Sequence, residues 1–63
     1  MDGSLSIPPM LVSVDEASRL LSVGRTKVYE LIAAGDLDGR KAGKSTRIVM
    51  ASIRRYVEGL PKK

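Results

Sequence analysis

The chain is 63 residues long, carries a formal net charge of +4 at pH 7 and contains neither cysteine nor histidine. This composition excludes disulfides, thiolate or imidazole metal sites and histidine-based triads, and the length allows at most one small domain, so we expect no enzyme and no cofactor. No apolar run approaches the roughly 18 residues of a membrane span and the N-terminus lacks a signal-peptide pattern, so we expect a cytoplasmic protein that contacts no membrane.

The N-terminal segment is predicted to be a flexible lead-in over residues 1–10, because Pro8 and Pro9 block helix formation and favour extended backbone. Apolar residues at helical spacing begin only after this segment. We therefore predict one ordered domain over residues 11–60, followed by a basic tail over residues 61–63.

The first helix is predicted to begin at Ser13 with a capping box. In this motif the Ser13 hydroxyl accepts a hydrogen bond from the Glu16 amide, and the Glu16 carboxylate accepts one from the Ser13 amide. The apolar residues of the helix are Val14, Ala17, Leu20 and Leu21. Their helical spacing predicts one buried face, which leaves Asp15 and Glu16 directed toward water.

A second helix is predicted from Arg25 to about Ala34, because Gly35 stands where a helix ends in a left-handed residue. Only three or four residues separate it from the first helix, and such a turn holds two helices at about 90 to 120 degrees, as in a helix-turn-helix. The second helix would then be the element that reads DNA.

The helical wheel of this second helix separates a buried stripe from an exposed face. The stripe consists of Val28, Leu31 and Ile32. The residues directed outward are Thr26, Lys27, Tyr29, Glu30 and Ala33. Arg25 lies in the first turn, where its long side chain can reach a phosphate or a base. The alternative, a solvated amphipathic helix with no ligand, stays open at this point.

The next segment is predicted to form a basic β-hairpin, because β-branched residues follow a turn at residues 43–46. Lys41, Lys44 and Arg47 belong to it, and no acidic residue occurs between positions 39 and 50. A narrow basic ribbon can enter a groove of DNA or contact its phosphates. The alternative is a hairpin that only covers the core and whose charges protect the sheet edges.

The last helix is predicted from about Ala51 to Gly59, with Ile53, Val57 and Leu60 at helical spacing.

The positive charge of the chain is concentrated in its C-terminal part. Residues 1–38 hold three basic and six acidic residues, a net charge of −3, whereas residues 39–63 hold eight basic and one acidic residue, a net charge of +7. This asymmetry favours a polyanionic partner, although a solvated basic tail has the same signature.

From Leu11 to Val57 the chain resembles the excisionase-type, MerR-like winged helix-turn-helix DNA-binding domain. The resemblance rests on the order and spacing of Glu16, Ala17, Leu20, Leu21, Val23, Arg25, Val28, Tyr29, Leu31, Ile32, Gly35, Leu37, Gly43, Arg47 and Ile48. It implies a mainly α fold with a small β-hairpin, in which a helix-turn-helix, a two-stranded wing and a C-terminal helix follow one another.

In that family the second helix enters the major groove, and the wing contacts an adjacent minor groove or its phosphates. By matching position, the helix role falls to Arg25, Thr26, Lys27 and Tyr29. The wing role falls to Lys41, Lys44, Ser45, Thr46 and Arg47. Arg40 replaces a residue that is usually apolar in the family, which predicts a more basic wing surface.

The chain departs from the family pattern at three further positions. Gly24 stands where the family often has serine, Thr46 where it often has an aromatic residue, and Val49 where it often has proline. Glycine is a tolerable N-cap, so the helix is still expected to start there. The smaller Thr46 predicts less apolar support for the wing.

The resemblance implies a protein that binds double-stranded DNA and performs no chemistry. The role we favour is an excisionase, or recombination directionality factor, that binds beside an attachment site and steers an integrase or related recombinase toward excision. We expect protomers to associate head to tail on DNA, and the protein to be nucleoid-associated when bound. The alternatives are a small transcriptional regulator of the same fold and a protein interaction module whose basic face meets an acidic partner.

Overall fold

The computed structural model describes residues 10–62. Its elements, in chain order, are β1 (Leu11–Ser13), α1 (Val14–Leu21), α2 (Arg25–Ala33), β2 (Gly39–Ala42), β3 (Ser45–Val49) and α3 (Met50–Glu58). Three helices with a small antiparallel hairpin confirm the predicted winged helix-turn-helix class. Residues 1–9 of the predicted lead-in, and Lys63 of the predicted tail, lie outside the described residues. The domain boundaries at residues 10 and 60 stay predictions.

The predicted two-stranded wing, β2 and β3, is present, and it belongs to a three-stranded antiparallel sheet with the order β1-β3-β2, whose third strand was not predicted. The additional strand, β1, pairs Val12 with Ile48 and Ser13 with Arg47. Three residues are too few to display the alternation that marks a strand in a sequence, and their partners lie far along the chain. As a result, β3 has hydrogen-bonded neighbours on both sides.

The start of α1 follows half of the predicted capping box. The Ser13 hydroxyl accepts a hydrogen bond from the Glu16 amide at 3.0 Å, as predicted. The Glu16 carboxylate, however, accepts one from Arg19 Nη2 at 2.9 Å, so the predicted return bond to the Ser13 amide was wrong. Ser13 is also the last residue of β1, and its backbone therefore follows the sheet rather than a free helix end.

The link between α1 and α2 is short and internally hydrogen-bonded. Ser22 adopts a left-handed conformation with φ 57°, and the Val23 amide donates to the Ser18 carbonyl oxygen at 3.0 Å. The Ser18 hydroxyl in turn donates to the Val23 carbonyl oxygen. Gly24 is the N-cap of α2, where no side chain caps the helix, in agreement with the expected start. These bonds fix how α2 leaves α1.

The core collects side chains from both ends of the chain. Its buried apolar residues are Val12, Val14, Ala17, Val28, Leu31, Leu37, Ile48 and Ile53. The base of the wing approaches α2 closely, because a Cβ atom at Gly39 would lie only 2.9 Å from Ile32 Cγ2. Leu20 and Val57, which the helical spacing placed on buried faces, are each 49% exposed. The domain has too few helices and strands to cover the C-terminal ends of the apolar faces of α1 and α3.

Ser52 joins the start of α3 to the base of the wing. Its buried hydroxyl donates to the Val49 carbonyl oxygen at 2.6 Å and accepts from the Asp38 amide at 3.0 Å. The Val49 amide donates to the Asp38 carbonyl oxygen at 3.0 Å. Both ends of the hairpin and the first turn of α3 are therefore held together by one small side chain.

Among the described residues, no helix is long and apolar enough to cross a membrane.

Candidate nucleic-acid interface

The exposed face of α2 agrees with the helical wheel. Val28 and Leu31 are buried beneath the helix. The residues predicted to face outward, Thr26, Lys27, Tyr29, Glu30 and Ala33, are all exposed. Arg25 is the first residue of α2 and is also exposed. The helix therefore presents a polar face with one aromatic ring, and contact between this face and DNA stays a prediction.

The tip of the wing is a two-residue turn. Ala42 pairs with Ser45, so only Gly43 and Lys44 connect β2 to β3. Gly43 has φ 67°, a left-handed conformation that glycine adopts without strain and that two-residue hairpin turns require at their first position. Lys44 consequently stands at the extreme end of the ribbon, exposed to solvent.

The register divides the predicted wing residues between the two faces of the sheet. Arg40 pairs with Arg47, and Lys41 pairs with Thr46. Because successive side chains of a strand point to opposite faces, Arg40 and Arg47 share one face while Lys41 and Thr46 share the other. The predicted wing residues therefore cannot all face one DNA groove.

Arg40 forms an ion pair with Asp38, the residue that directly precedes β2. Its Nε donates to Asp38 Oδ1 at 2.9 Å and its Nη2 to Asp38 Oδ2 at 3.1 Å, a bidentate pair. This hydrogen bonding lowers the pKa of the Asp38 carboxyl and raises the pKa of Arg40 above their ordinary values. The pair also neutralises a charge that would otherwise face Arg47 directly across the sheet.

A groove of about 280 Å³ separates the N-terminal part of α2 from the wing. It is lined by Ser13, Val14, Asp15, Arg25, Tyr29, Lys44, Ser45, Thr46 and Arg47. Six of these residues, two from α2 and four from the wing, belong to the predicted DNA-binding set. Three basic side chains and one acidic side chain border the groove, so its electrostatic character favours an anionic ligand.

The other predicted site residues lie elsewhere. Thr26 and Lys27 are exposed on α2 but do not line the groove. Arg40 and Lys41 border a separate depression on the sheet, beside Met10, Leu11 and Val49. The structure therefore brings together the start of α2 and the tip of the wing, and it leaves the base of the wing apart from them.

Asp15 is the charged residue of this groove that was not predicted to contact DNA. Its Oδ1 accepts a hydrogen bond from Arg25 Nη1 at 2.7 Å, although the two residues are ten positions apart and lie on different helices. In the sequence Asp15 is only an acidic residue in the first turn of a helix, which is a common helix-stabilising feature. Its proximity to Arg25 depends on the packing of α1 against α2.

No group of three or more potential metal-ligating residues occurs within residues 10–62.

Comparison with known proteins identifies a family and a relative. A family model described as a helix-turn-helix domain matches residues 11–61. A curated protein of Saccharopolyspora erythraea, named "Probable excisionase", is 37% identical over 51 residues, which make up 81% of this chain and 52% of that protein. The chain thus spans about half the length of that relative.

Proposed function

Because the chain belongs to the excisionase-type helix-turn-helix family, we propose that it acts as an excisionase, binding double-stranded DNA beside an attachment site of an integrase. Family membership confirms the predicted resemblance and the prediction of a DNA-binding protein that is not an enzyme. The MerR-like affiliation stays a prediction. So do the cytoplasmic location and the association with the nucleoid when DNA is bound.

The groove between α2 and the wing is the observation that carries this proposal. It places Arg25 and Tyr29 of the helix opposite Lys44 and Arg47 of the wing, on one side of the molecule. A helix that lies in the major groove with its N-terminal residues near the base edges would bring the wing tip to the flanking backbone. In this arrangement the helix reads sequence and the wing supplies phosphate contacts.

The small size of the domain supports an architectural role with several copies or with a partner. A single module of this kind buries roughly 600 to 1,000 Å² on DNA, which offers too few contacts to select one site in a genome. Head-to-tail association on direct repeats would add specificity, because a heterologous contact can propagate along a duplex. An integrase bound next to the protein would also add specificity.

A nuclease footprint on the DNA that flanks the native gene tests the excisionase role. We expect several adjacent protected repeats inside an attachment region, filled cooperatively as the protein concentration rises. One protected site at a promoter would instead favour the small transcriptional regulator. Absence of protection on any duplex, together with binding to an acidic protein, would favour the interaction module.

Binding is expected to depend strongly on salt. If about four phosphates are neutralised, log K should fall against log salt with a slope of roughly −3 to −4. The basic residues assigned to these contacts are Lys27, Lys41, Lys44 and Arg47. Fluorescence anisotropy on a random duplex over a series of salt concentrations measures the slope. Lys44→Ala should make it shallower by about 0.9, whereas a wild-type slope near zero would contradict the proposed electrostatic contacts.

A further inference from the structure

The contact between Asp15 and Arg25 gives the groove a charge arrangement that simple phosphate binding does not require. Asp15 carries the acidic side chain of the groove lining, and it lies against the arginine that begins the proposed reading helix. An acidic group beside an anionic ligand weakens attraction to phosphate in general. Its position is therefore better explained by what it does to Arg25 than by affinity for DNA.

The two helix ends make this contact favourable and directional. Asp15 lies in the first turn of α1, where the helix dipole favours a carboxylate. Arg25 lies in the first turn of α2, where the same dipole disfavours a cation, so an anionic neighbour compensates it. The carboxylate belongs to a helix that packs on α2, and it can hold the guanidinium in a defined place.

The geometry leaves the reading edge of the guanidinium available. Arg25 uses Nη1 to contact Asp15 Oδ1 at 2.7 Å, and its Nε and Nη2 donate to no residue that the structure describes. Arginine can recognise guanine O6 and N7 with two donors at once, and Nε with Nη2 forms one such edge. One edge of Arg25 can therefore be anchored while another meets a base.

We propose that Asp15 is a specificity-determining residue, which positions Arg25 for a base edge and restrains it from neighbouring phosphates. This inference rests on the proposed function, because it requires α2 to enter a DNA groove. When Asp15 is absent, the long side chain of Arg25 is free to follow the phosphate charge. Affinity for random DNA then rises while affinity for the preferred sequence does not, and discrimination falls.

The experiment compares binding to two short duplexes of equal length, one selected by the wild-type protein from a random pool and one of random sequence. Asp15→Ala is the test variant. Asp36→Ala is its matched control, since it removes the same charge from an exposed position outside the groove. Asp15→Asn is measured as well, because it removes the charge and keeps a polar first-turn residue, and circular dichroism verifies that all variants are folded.

For Asp15→Ala we expect the ratio of the two affinities to fall about three- to fivefold, the upper range of what an exposed ion pair contributes. On random duplex the salt slope should become steeper by about 0.9, because Arg25 then displaces one more counterion. A residue that only stabilises α1 would not change this slope. Asp36→Ala should change neither the ratio nor the slope.

The dependence on Arg25 decides the mechanism. In an Arg25→Ala background, removal of Asp15 should leave the affinity ratio unchanged, because the positioned group is gone. The proposal is overturned if Asp15→Ala behaves like Asp36→Ala, or if it lowers the ratio equally with and without Arg25. A wild-type chain that binds neither duplex would reject the proposed function itself and this inference with it, and no variant is needed to recognise that result.

Discussion

Ile48→Ala is expected to lower the free energy of unfolding by about 3 to 4 kcal/mol, as large-to-small substitutions at fully buried sites do. Ile48 has no exposed surface and lies on β3, the central strand, opposite Val12 of β1 and Gly39 of β2. Alanine there leaves a cavity where β1, β2 and β3 meet. Because a domain of this size rarely has more than about 3 to 5 kcal/mol of stability, the variant should be largely unfolded at 25 °C.

Urea titration followed by circular dichroism measures this effect. Val57→Ala provides the control, since its side chain is half exposed and its truncation should cost about 1 kcal/mol or less. DNA binding should be lost in Ile48→Ala together with the folded signal. A stable Ile48→Ala variant would contradict the central position of β3 in the core.

Arg25→Ala is expected to reduce discrimination between a selected duplex and a random one by about 1 to 3 kcal/mol, the range for loss of a contact to a base edge. Thr26→Ala should act in the same sense, because Thr26 is exposed on the same turn of α2. Lys44→Ala, at the wing tip, should instead weaken binding to both duplexes by a similar factor, as expected for a phosphate contact.

Paired affinity measurements on the two duplexes at one salt concentration separate these roles. The opposite pattern, in which Lys44→Ala abolishes the preference and both α2 variants retain it, would mean that the wing reads sequence and the helix only anchors. If each of the three variants lost affinity for both duplexes by the same factor, neither α2 nor the wing would discriminate between the two sequences. Asp36→Ala serves again as a surface variant without expected effect.

The parts of the fold that depend on neighbouring residues were predictable from the sequence. The start of α2 at Arg25, its exposed face and the hairpin turn at Gly43 follow from helical periodicity and from glycine's access to positive φ. Gly35 ends α2 with φ 85°, as expected for its position. In each case the decisive interactions lie within a few residues of one another.

The features that the sequence did not reveal all depend on contacts between distant positions. Strand β1 exists because residues 11–13 pair with β3, and the Asp15 contact exists because α1 packs against α2. Asp38 and Arg40 are close in sequence, but the position of Arg40 directly opposite Arg47, where the pair with Asp38 cancels its charge, follows from the strand register. Periodicity within one segment carries no information about such partners.

The pairing of β1 with β3 also determines when the domain can be completed during synthesis. The α1–α2 pair lies within a short stretch of chain, but Val12 finds Ile48 only after almost the entire domain has been translated. A nascent chain that ends before β3 holds the complete helix-turn-helix, yet it lacks the central strand and the wing. Contacts between sequence-distant strands form late and slow folding. The domain can therefore fold completely only after β3 has been synthesised, and a product that ends before β3 is expected not to bind DNA.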